Sequence, residues 1–386
     1  MAEVEIGIGK SGRRAYGFDD IAIVPSRRTR DPDDIDITWD LDAYHFDLPL
    51  LASAMDGVVS PRIAIEIGKL GGLAVLNLEG LWTRYDYPDP IYQEIAALPD
   101  ADATKRMQEI YREPINPELI GERIRQIKDS GVVVAASLTP QRVAKYHQIT
   151  LEAGLDILVI QGTVVSAEHV SATTEPLNLK TFIARYEIPV IVGGCASYST
   201  ALHLMRTGAA GVLVGVGPGS ACTTRGVLGL GVPQATALAD AAGARIRHLE
   251  ETGRYVQVIA DGGMATGGDI AKAIACGADS VMLGSPLAAA IEAPGRGYHW
   301  GMATFHPDLP RGTRVATRTL GTMREILLGP APVNDGTMNL FGALRTSMAT
   351  TGYQTLREFQ KAEVMVAPAL KTEGKSLQRA QGVGMG

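Results

Sequence analysis

The segment from Gly217 to Arg225, which reads GPGSACTTR, combines a nucleophile with a backbone that can approach a ligand closely. Cys222 lies in this polar, glycine-rich stretch near Arg225, where exposed amides and a positive charge favour the thiolate. A thiolate is the nucleophilic form of cysteine, and the hydroxyl of Thr224 could position or deprotonate a water molecule. Main-chain carbonyls of the same loop, held open by glycines, could coordinate a monovalent cation. The segment therefore predicts covalent catalysis by Cys222.

Two further segments combine glycines with polar side chains where apolar runs end. Asp261-Gly262-Gly263 follows the run VQVIA, and Gly284-Ser285 follows DSVML. Glycine amides and a hydroxyl can donate hydrogen bonds to phosphate oxygens, and Asp261 could accept hydrogen bonds from ribose hydroxyls. A single Asp-Gly-Gly also fits a plain tight turn, but two such loops at successive strand ends favour a phosphate site.

Eight short apolar runs, rich in valine and isoleucine, precede these and similar loops. Continuous apolar runs of this length are typical of parallel strands covered on both faces. Eight strand–helix units over about 240 residues predict an α/β protein, a (β/α)8 TIM barrel. A doubly wound open sheet would hold fewer units and would usually carry a dinucleotide fingerprint after its first strand. The predicted strands are 49–53, 73–76, 132–136, 156–160, 189–192, 211–216, 256–260 and 279–283.

Helix-periodic segments separate most of the predicted strands. Glycines follow several of them just before the next strand, as at helix C-caps. The predicted helices are 60–70, 118–130, 140–153, 197–207 and 268–277, and the predicted cap residues are Gly131, Gly154, Gly208 and Gly277.

The barrel is predicted as one catalytic domain over residues 1–366. Residues 77–117 form an insertion after the second strand, and residues 291–322, rich in proline and glycine, form a mobile flap over the mouth of the barrel. Insertions in barrel enzymes concentrate on loops at the C-terminal face, where catalysis occurs. Residues 367–386 are predicted to be a flexible C-terminal tail.

The composition excludes several classes of function. The 386 residues include 36 basic and 42 acidic side chains, for a net charge of −6, and 46% are hydrophobic, as in ordinary soluble globular proteins. The chain has neither an apolar run that could span a bilayer nor a signal peptide, and a mildly acidic protein is a poor nucleic-acid binder. Three widely spaced cysteines form no disulfide framework, so we expect a reduced, cytoplasmic protein with Cys195 and Cys276 in its core.

Residues 7–12, GIGKSG, satisfy the dinucleotide pattern GxGxxG. That pattern needs a strand before it and a helix after it. MAEVEI is a poor strand and RRAYGFDD would not extend a helix well, so we predict a flexible N-terminal arm instead.

Several segments resemble IMP dehydrogenase and GMP reductase, which form one enzyme family. GPGSACTTR, followed by GVLGLGVPQATA, resembles the family's catalytic cysteine loop, and DGGMATGGDIAKAIACGADSVMLGS resembles its nucleotide-phosphate segment. YGFDDIAIVP at 16–25, LASAMDG at 51–57 and LRTSMATTGYQTLREFQKAE at 344–363 resemble its N-terminal arm, first barrel loop and C-terminal element. The resemblance covers most of residues 16–76 and 120–366.

The resemblance implies that a purine nucleoside 5′-monophosphate (IMP, XMP or GMP) binds across the mouth of the barrel. In the dehydrogenase branch Cys222 would attack C2 of IMP, hydride would pass to NAD, and water would release XMP. In the reductase branch the cysteine would displace ammonia from GMP, and NADPH would deliver the hydride. A bound potassium ion (K+) and a homotetramer are also implied.

The resemblance also assigns contacts to individual residues. The implied contacts are Ser53 and Met55 for the nucleotide; Asp261 for the ribose; Ser220, Gly262, Gly263, Gly284 and Ser285 for the phosphate, with His299 beside them; Gly301 and Met302 for the base; Gln161, Gly162 and Gly215 for the cofactor; and the carbonyls of Gly217, Gly219 and Cys222 for the cation.

The chain departs from the family pattern outside the flap in three places. The regulatory CBS domains that most IMP dehydrogenases carry after the second strand are absent, so nucleotide regulation through them should be absent too. In the dehydrogenases the fourth strand ends in an aspartate followed by Ser-Ser-Gln-Gly. Of this pattern only Gln161 and Gly162 are present here. The asparagine that follows strand five in the family is Cys195 here.

The fourth departure concerns the residue that activates water. Dehydrogenases use an Arg-Tyr pair in the flap and reductases a glutamate, but between Ala293 and Arg324 this chain has neither, and Asp308 is the only acid there. The candidates that remain are His299, His306, Arg311 and Arg314. Histidine has a pKa suited to a base near neutrality, whereas an arginine could act only if its neutral form were strongly favoured. The alternatives are that Arg314 binds cofactor phosphates and, narrowly favoured, that His306 is plain flap surface.

The cysteine loop, the phosphate segment and the Gly-Met-Ala element favour an IMP dehydrogenase without CBS domains. GMP reductase is the second hypothesis, because it also lacks CBS domains, but the missing glutamate argues against it. A catalytically silent nucleotide-binding regulator is the third, although such a protein would not need the complete cysteine loop. A flavin-dependent barrel would share the phosphate site without requiring Cys222.

Overall fold

A closed barrel of eight parallel strands forms the centre of the computed structural model, which describes residues 3–172, 176–301, 314–367 and 374–382. Neighbouring strands pair in chain order, and the eighth closes the barrel on the first. The predicted TIM barrel is therefore confirmed. We number its strands β1 to β8: Leu50–Ala52, Leu73–Asn77, Ala135–Leu138, Ile157–Gln161, Val190–Cys195, Gly211–Val214, Gln257–Asp261 and Ser280–Leu283.

Strand β3 starts later than the apolar pattern predicts. Val132 and Val133 are only partly buried, and neither pairs with a neighbouring strand. Val132 packs against the helix Pro61–Lys69, because a Cβ added at Gly68 in that helix would lie 2.6 Å from the Cβ of Val132. The apolar character of this pair thus serves helix packing instead of strand pairing.

Helices surround the barrel, and several are capped by polar side chains at their first turn. Ser60 accepts a hydrogen bond from the amide of Ile63 at 3.2 Å, which satisfies one of the free donors of that turn. The four predicted cap glycines all have left-handed φ angles, as a helix that stops just before a strand requires. The helices around the barrel are Pro61–Lys69, Pro117–Lys128, Pro140–Glu152, Leu179–Arg185, Tyr198–Met205, Gln234–Thr252, Gly267–Ala275 and Leu340–Thr350.

The insertion between β2 and β3 is a packed element. It contains a 3-10 turn at Leu81–Thr83 and the helices Asp89–Ala97 and Asp100–Ile110. Trp300, which follows β8, joins the apolar side chains of the insertion in a small core separate from that of the barrel. The insertion residues of that core are Leu81, Tyr92, Ile95, Met107 and Ile110.

The N-terminus forms an exposed antiparallel hairpin of Glu3–Gly7 and Lys10–Arg13. The prediction that MAEVEI is a poor strand is wrong, because the alternation of glutamates with Val4 and Ile6 fits the two-residue period of a strand. GIGKSG supplies the turn and the second strand of this hairpin. Arg13 ties it to the barrel through Asp240, at 3.0 Å.

The segment after β8 is anchored on both sides of residues 302–313. Tyr298–His299 pairs with Val315–Ala316 as two antiparallel strands, which we call the flap stem. Met302 and His306 lie outside the described residues. In the predicted tail, residues 374–382 include the helix Ser376–Gln381 where the sequence suggests loose chain.

Short elements complete the described part of the chain, in which no helix is both long and apolar enough to cross a membrane. They are the strands Ile21–Ile23, Trp39–Leu41, Tyr44–Phe46 and Val364–Val366, the 3-10 turns Phe18–Asp20 and Pro32–Asp34, and the helices Thr224–Leu228, Ser285–Ala288, Met323–Leu328 and Leu356–Phe359.

Candidate active site

A cavity of about 430 Å³ opens at the carboxyl ends of the barrel strands. Most residues singled out in the sequence line it, although they come from segments far apart in the chain, because parallel strands deliver their carboxyl ends to one face. The predicted residues that line it are Ser53, Met55, Gln161, Gly162, Gly215, Gly217, Gly219, Ser220, Cys222, Thr224, Asp261, Gly262, Gly263, Gly284, Ser285 and Gly301.

The cysteine loop presents Cys222 to this cavity. The thiol of Cys222 is exposed and donates a hydrogen bond to Oγ1 of Thr224 at 3.2 Å. The Cys222 amide donates to the carbonyl of Gly219 at 3.0 Å, which forms a tight turn. Thr224 itself is buried at the start of a short helix, so the hydroxyl beside the thiol has a fixed position.

Arg225 closes the cysteine loop from behind. Its side chain lies between Gly217 and Gly231, where an added Cβ would come within 2.6 Å of it in each case. Its guanidinium donates to the carbonyl of Val232 at 2.8 Å. The glycines of this loop are therefore needed for packing as well as for flexibility.

Of the other two cysteines, Cys195 lies in the core as the sequence predicts, whereas Cys276 is only partly buried against it. Cys195 is buried at the end of β5, and Cys276 is half-buried at the end of a helix. Burial raises the pKa of each thiol to about 12. Both remain protonated near neutral pH, which leaves Cys222 as the exposed thiol of this chain.

A cluster of two hydroxyls and an imidazole lies beside the cysteine loop. Nε2 of His299 is 2.8 Å from Oγ of Ser285 and 3.1 Å from Oγ of Ser220, and the two serine hydroxyls contact each other. Nδ1 of His299 lies 2.6 Å from Oγ1 of Thr317, the residue that follows the opposite strand of the flap stem. Burial lowers the pKa of His299, so the ring is neutral near pH 7. The cluster brings together donors from three loops, as the binding of a phosphate requires.

The glycines that follow β7 let the chain there pack closely against the cysteine loop. Gly262 has a left-handed φ of +79°, and a Cβ there would lie 3.2 Å from the amide nitrogen of Gly219. Met55 packs similarly against Gly284, whose added Cβ would be 2.7 Å from the Met55 sulfur. Side chains at these positions would separate the loops that form the cavity.

Asp261 ends β7 inside the cavity with one weak side-chain partner. The amide Nε2 of Gln161 donates to its Oδ2 at 3.3 Å, and burial raises the pKa of Asp261 to about 7. The main-chain carbonyl of Asp261 leaves no room at Gly215, where a Cβ would lie 2.1 Å away. A carboxyl group held in this way can accept further hydrogen bonds from a ligand.

The wall of the cavity at β3 and β4 includes residues that the sequence did not suggest. Thr139 and Thr163 line it next to Gln161 and Gly162. Oε1 of Gln161 is buried without a hydrogen-bond partner among the described residues. Thr139 directly follows β3, and Thr163 comes two residues after β4. Their position at the carboxyl ends of these strands is the signal that could have identified them.

A third group of residues, also missed, connects the insertion to the cavity. The buried carboxylate of Asp56 accepts hydrogen bonds from the amide of Leu81 at 3.1 Å and from the hydroxyl of Tyr111. The Tyr111 hydroxyl in turn accepts one from Nε1 of Trp300 at 2.7 Å. Asp56 is adjacent to Met55 in the predicted LASAMDG motif, which could have pointed to it.

Arg314 is placed away from the cavity. Its guanidinium donates to the carbonyls of Ile95 and Leu98 and to Asp100 at 2.9 Å, and it lies 4.2 Å from the ring centroid of Tyr298. These hydrogen bonds attach Arg314 to the insertion. We therefore do not carry its predicted role in water activation into the proposed function.

Among the described residues, no group of three or more histidine, cysteine, aspartate or glutamate side chains could hold a metal ion.

A barrel that gathers an exposed cysteine, a buried carboxyl group and a hydroxyl–imidazole cluster around one cavity is suited to covalent chemistry on a small phosphorylated ligand. Residues 15–306 match the family model of the IMP dehydrogenase / GMP reductase domain. The chain belongs to this family of oxidoreductases.

Individual relatives agree with this assignment. Proteins of Mycolicibacterium smegmatis and Mycobacterium leprae, both named uncharacterized oxidoreductases, are 50% identical over 94% of this chain and 99% and 100% of their own. An IMP dehydrogenase of Methanocaldococcus jannaschii is 27% identical, with 94% of each chain covered. The crystal structure of an IMP dehydrogenase/GMP reductase-like protein from Corynebacterium glutamicum has a TM-score of 0.90 and 47% identity, over 94% of this chain and 97% of that one.

Proposed function

We propose that this protein is an NAD-dependent IMP dehydrogenase, which oxidises IMP to XMP through a covalent bond to Cys222. One observation carries the proposal: Cys222 lines the same cavity as Asp261 and the Ser220–Ser285 pair. A nucleoside monophosphate presents a base, a ribose and a phosphate to these three features at once.

The proposed pose follows from the chemistry of the lining. Phosphate oxygens would accept hydrogen bonds from the hydroxyls of Ser220 and Ser285 and from the amides of Gly263 and Gly284. Ribose hydroxyls would donate to Asp261. The base would lie between Met55 and the backbone of Gly301, with C2 directed at Cys222.

Ser285→Ala is expected to weaken IMP binding about tenfold, because one hydrogen bond to a charged phosphate is lost. Binding of inosine, which lacks the phosphate, should not change. Titration calorimetry with both ligands measures the ratio of their affinities. Ser280→Ala, at the start of the strand that precedes Ser285 and outside the cavity lining, is the matched control. An unchanged ratio in Ser285→Ala would remove Ser285 from the phosphate contact.

The chemical steps balance with the residues present and one cosubstrate. The Cys222 thiolate forms an S–C2 bond with the purine, and the hydrogen at C2 leaves as hydride to NAD. Water then attacks C2, the S–C2 bond breaks, and the thiolate is regenerated as XMP and a proton are released. Splitting the oxidation in this way replaces one difficult step by two easier ones.

The β3–β4 wall fits a nicotinamide. Oε1 of Gln161 is a buried acceptor without a partner among the described residues, and a carboxamide NH2 is the donor that it lacks. Thr139 and Thr163 add hydroxyls to the same wall. When bound there, the nicotinamide ring supplies the hydride acceptor.

The water-activating step is assigned here to Thr224. Its hydroxyl is 3.2 Å from the Cys222 sulfur, close to where the S–C2 bond is hydrolysed. His306, outside the described residues, remains the second candidate. K+ bound by carbonyls of Gly217, Gly219 and Cys222 would hold the cysteine loop in place. The proposal also includes a homotetramer, the assembly that the resemblance to the family implies.

GMP reductase is the alternative within the family, because the matching family model covers both activities. The same Cys222 would then displace ammonia from C2 of GMP, and NADPH would supply the hydride. The absence of a glutamate between residues 294 and 323 argues against this direction.

Absorbance at 340 nm tests the proposal with the purified full-length protein. We expect a rise with IMP, NAD and K+, a smaller rise when Na+ replaces K+, and no change with GMP and NADPH. A fall with GMP and NADPH would instead establish a reductase. No change in either mixture, with IMP still bound in calorimetry, would indicate the silent regulator.

A further inference from the structure

The insertion 77–117 contacts both walls of the cavity that would enclose the purine base. Its own apolar core includes Trp300, the residue before Gly301. It also surrounds Asp56, the residue after Met55: the amide of Leu81 and the hydroxyls of Tyr92 and Tyr111 all donate to Asp56. Two cavity-lining residues are thus each adjacent in sequence to a residue that the insertion holds.

A single hydroxyl connects these two walls. Tyr111 donates to the carboxylate of Asp56 and accepts from Nε1 of Trp300 at 2.7 Å. The direction of donation is fixed along the chain from indole to phenol to carboxylate, because an indole can only donate and an ionised carboxylate can only accept. Asp56 and Trp300 are both buried, so neither has water as a ready substitute for Tyr111.

The phosphate cluster is held by different bonds. His299 is fixed by its pairing with Val315 across the flap stem and by Thr317. Ser220 and Ser285 contact each other and Nε2 of His299. The hydrogen bonds that hold the phosphate cluster are therefore different from the two that Tyr111 makes, although His299 and Trp300 are neighbours in the chain.

The geometry points to Tyr111 as a positioning residue that sets recognition of the purine base. By fixing Asp56 against Trp300, it sets the spacing between Met55 and the backbone of Gly301, between which the base would lie. The inference rests on the proposed function, because it takes a purine nucleotide as the ligand. It gives the insertion a role at the substrate site, in the position where the family's regulatory domains would stand.

Tyr111→Phe in the full-length protein tests this inference without requiring turnover. We expect the affinity for IMP to fall about fivefold, the scale of one lost hydrogen bond, while the affinity for ribose 5-phosphate stays within about twofold. Tyr85→Phe is the matched control, since the Tyr85 hydroxyl donates to the carbonyl of Ile110 inside the same insertion. That control should change neither affinity.

The outcomes separate the two proposals. If the wild type binds IMP and Tyr111→Phe leaves both affinities unchanged, the inference is wrong and the proposed function stands. If the wild type binds neither IMP nor GMP, both fail. A general loss of structure in Tyr111→Phe would lower both affinities together. In that case Trp300→Phe, which removes the indole donor to the same hydroxyl, must lower IMP affinity while leaving ribose 5-phosphate affinity unchanged, or the inference is refuted.

Discussion

Cys222→Ala is expected to reduce IMP oxidation by a factor on the order of 10⁴ or more, while IMP binding stays within about tenfold of the wild type. The turnover loss follows because no S–C2 bond can form without the thiol. Binding survives because the phosphate and ribose contacts supply most of the affinity and do not involve the sulfur. Stopped-flow absorbance measures turnover, and calorimetry with IMP measures binding.

Cys276→Ala provides the matched control. Burial raises the pKa of the Cys276 thiol to about 12, so this cysteine takes no part in chemistry near neutral pH and its removal should leave turnover intact. Mass spectrometry of wild-type protein quenched during turnover should detect the purine attached to Cys222. Measurable oxidation by Cys222→Ala would exclude the covalent route, and a large loss of IMP binding would make Cys222 a structural residue.

Much of the fold and of the site could be predicted because both depend on where strands end. Short apolar runs identify all eight barrel strands, and residues such as Gln161, Asp261 and Gly284 follow those runs directly. Closure of the barrel then brings them to one face whatever their distance in the sequence. The errors at β3 and at the N-terminal hairpin are local, because apolar residues can serve helix packing and polar alternation can also form a strand.

The parts that could not be predicted depend on pairwise packing between distant segments. No pattern in the sequence shows that Arg314 holds the carbonyls of Ile95 and Leu98 instead of facing the cavity. The same applies to Tyr111, whose partners are 55 and 189 residues away. Such contacts follow from the exact path of the insertion, which periodicity does not encode.

Asp261→Asn is expected to have opposite effects on nucleotide binding and on the stability of the free protein. In the proposed pose the carboxylate would accept hydrogen bonds from ribose hydroxyls, worth about 1.5–3 kcal/mol each, so IMP affinity should fall between about tenfold and a hundredfold. The preference for IMP over its 2′-deoxy analogue should also shrink, because the variant has lost the charged acceptor. In the wild type this preference should be larger at pH 8 than at pH 6, since the pKa of Asp261 is about 7.

The direction of the effect on stability depends on whether the folded or the unfolded protein binds the Asp261 proton more tightly. An unfolded aspartate ionises near pH 4, whereas burial raises the pKa of folded Asp261 to about 7. Between these values folding takes up a proton, so the contribution of Asp261 to stability is full below about pH 4 and is lost as the pH rises to about 7. Asparagine has no charge to bury, and the variant should therefore melt at a higher temperature than the wild type at pH 8, by roughly 1 °C for each kcal/mol recovered in a chain of this length.

The two effects together distinguish a binding residue from a structural one. Scanning calorimetry at pH 4 and pH 8 gives the stability difference, and titration with IMP and its 2′-deoxy analogue gives the binding difference. Asp129→Asn, on the exposed end of the helix Pro117–Lys128, is the control that should leave the ribose preference unchanged. If Asp261→Asn lowers stability at pH 8, the carboxylate is a structural group of the barrel. If it raises stability but leaves the preference for IMP over its 2′-deoxy analogue unchanged, the ribose hydroxyls bind elsewhere. The buried carboxylate would then destabilise the fold without contributing to nucleotide binding.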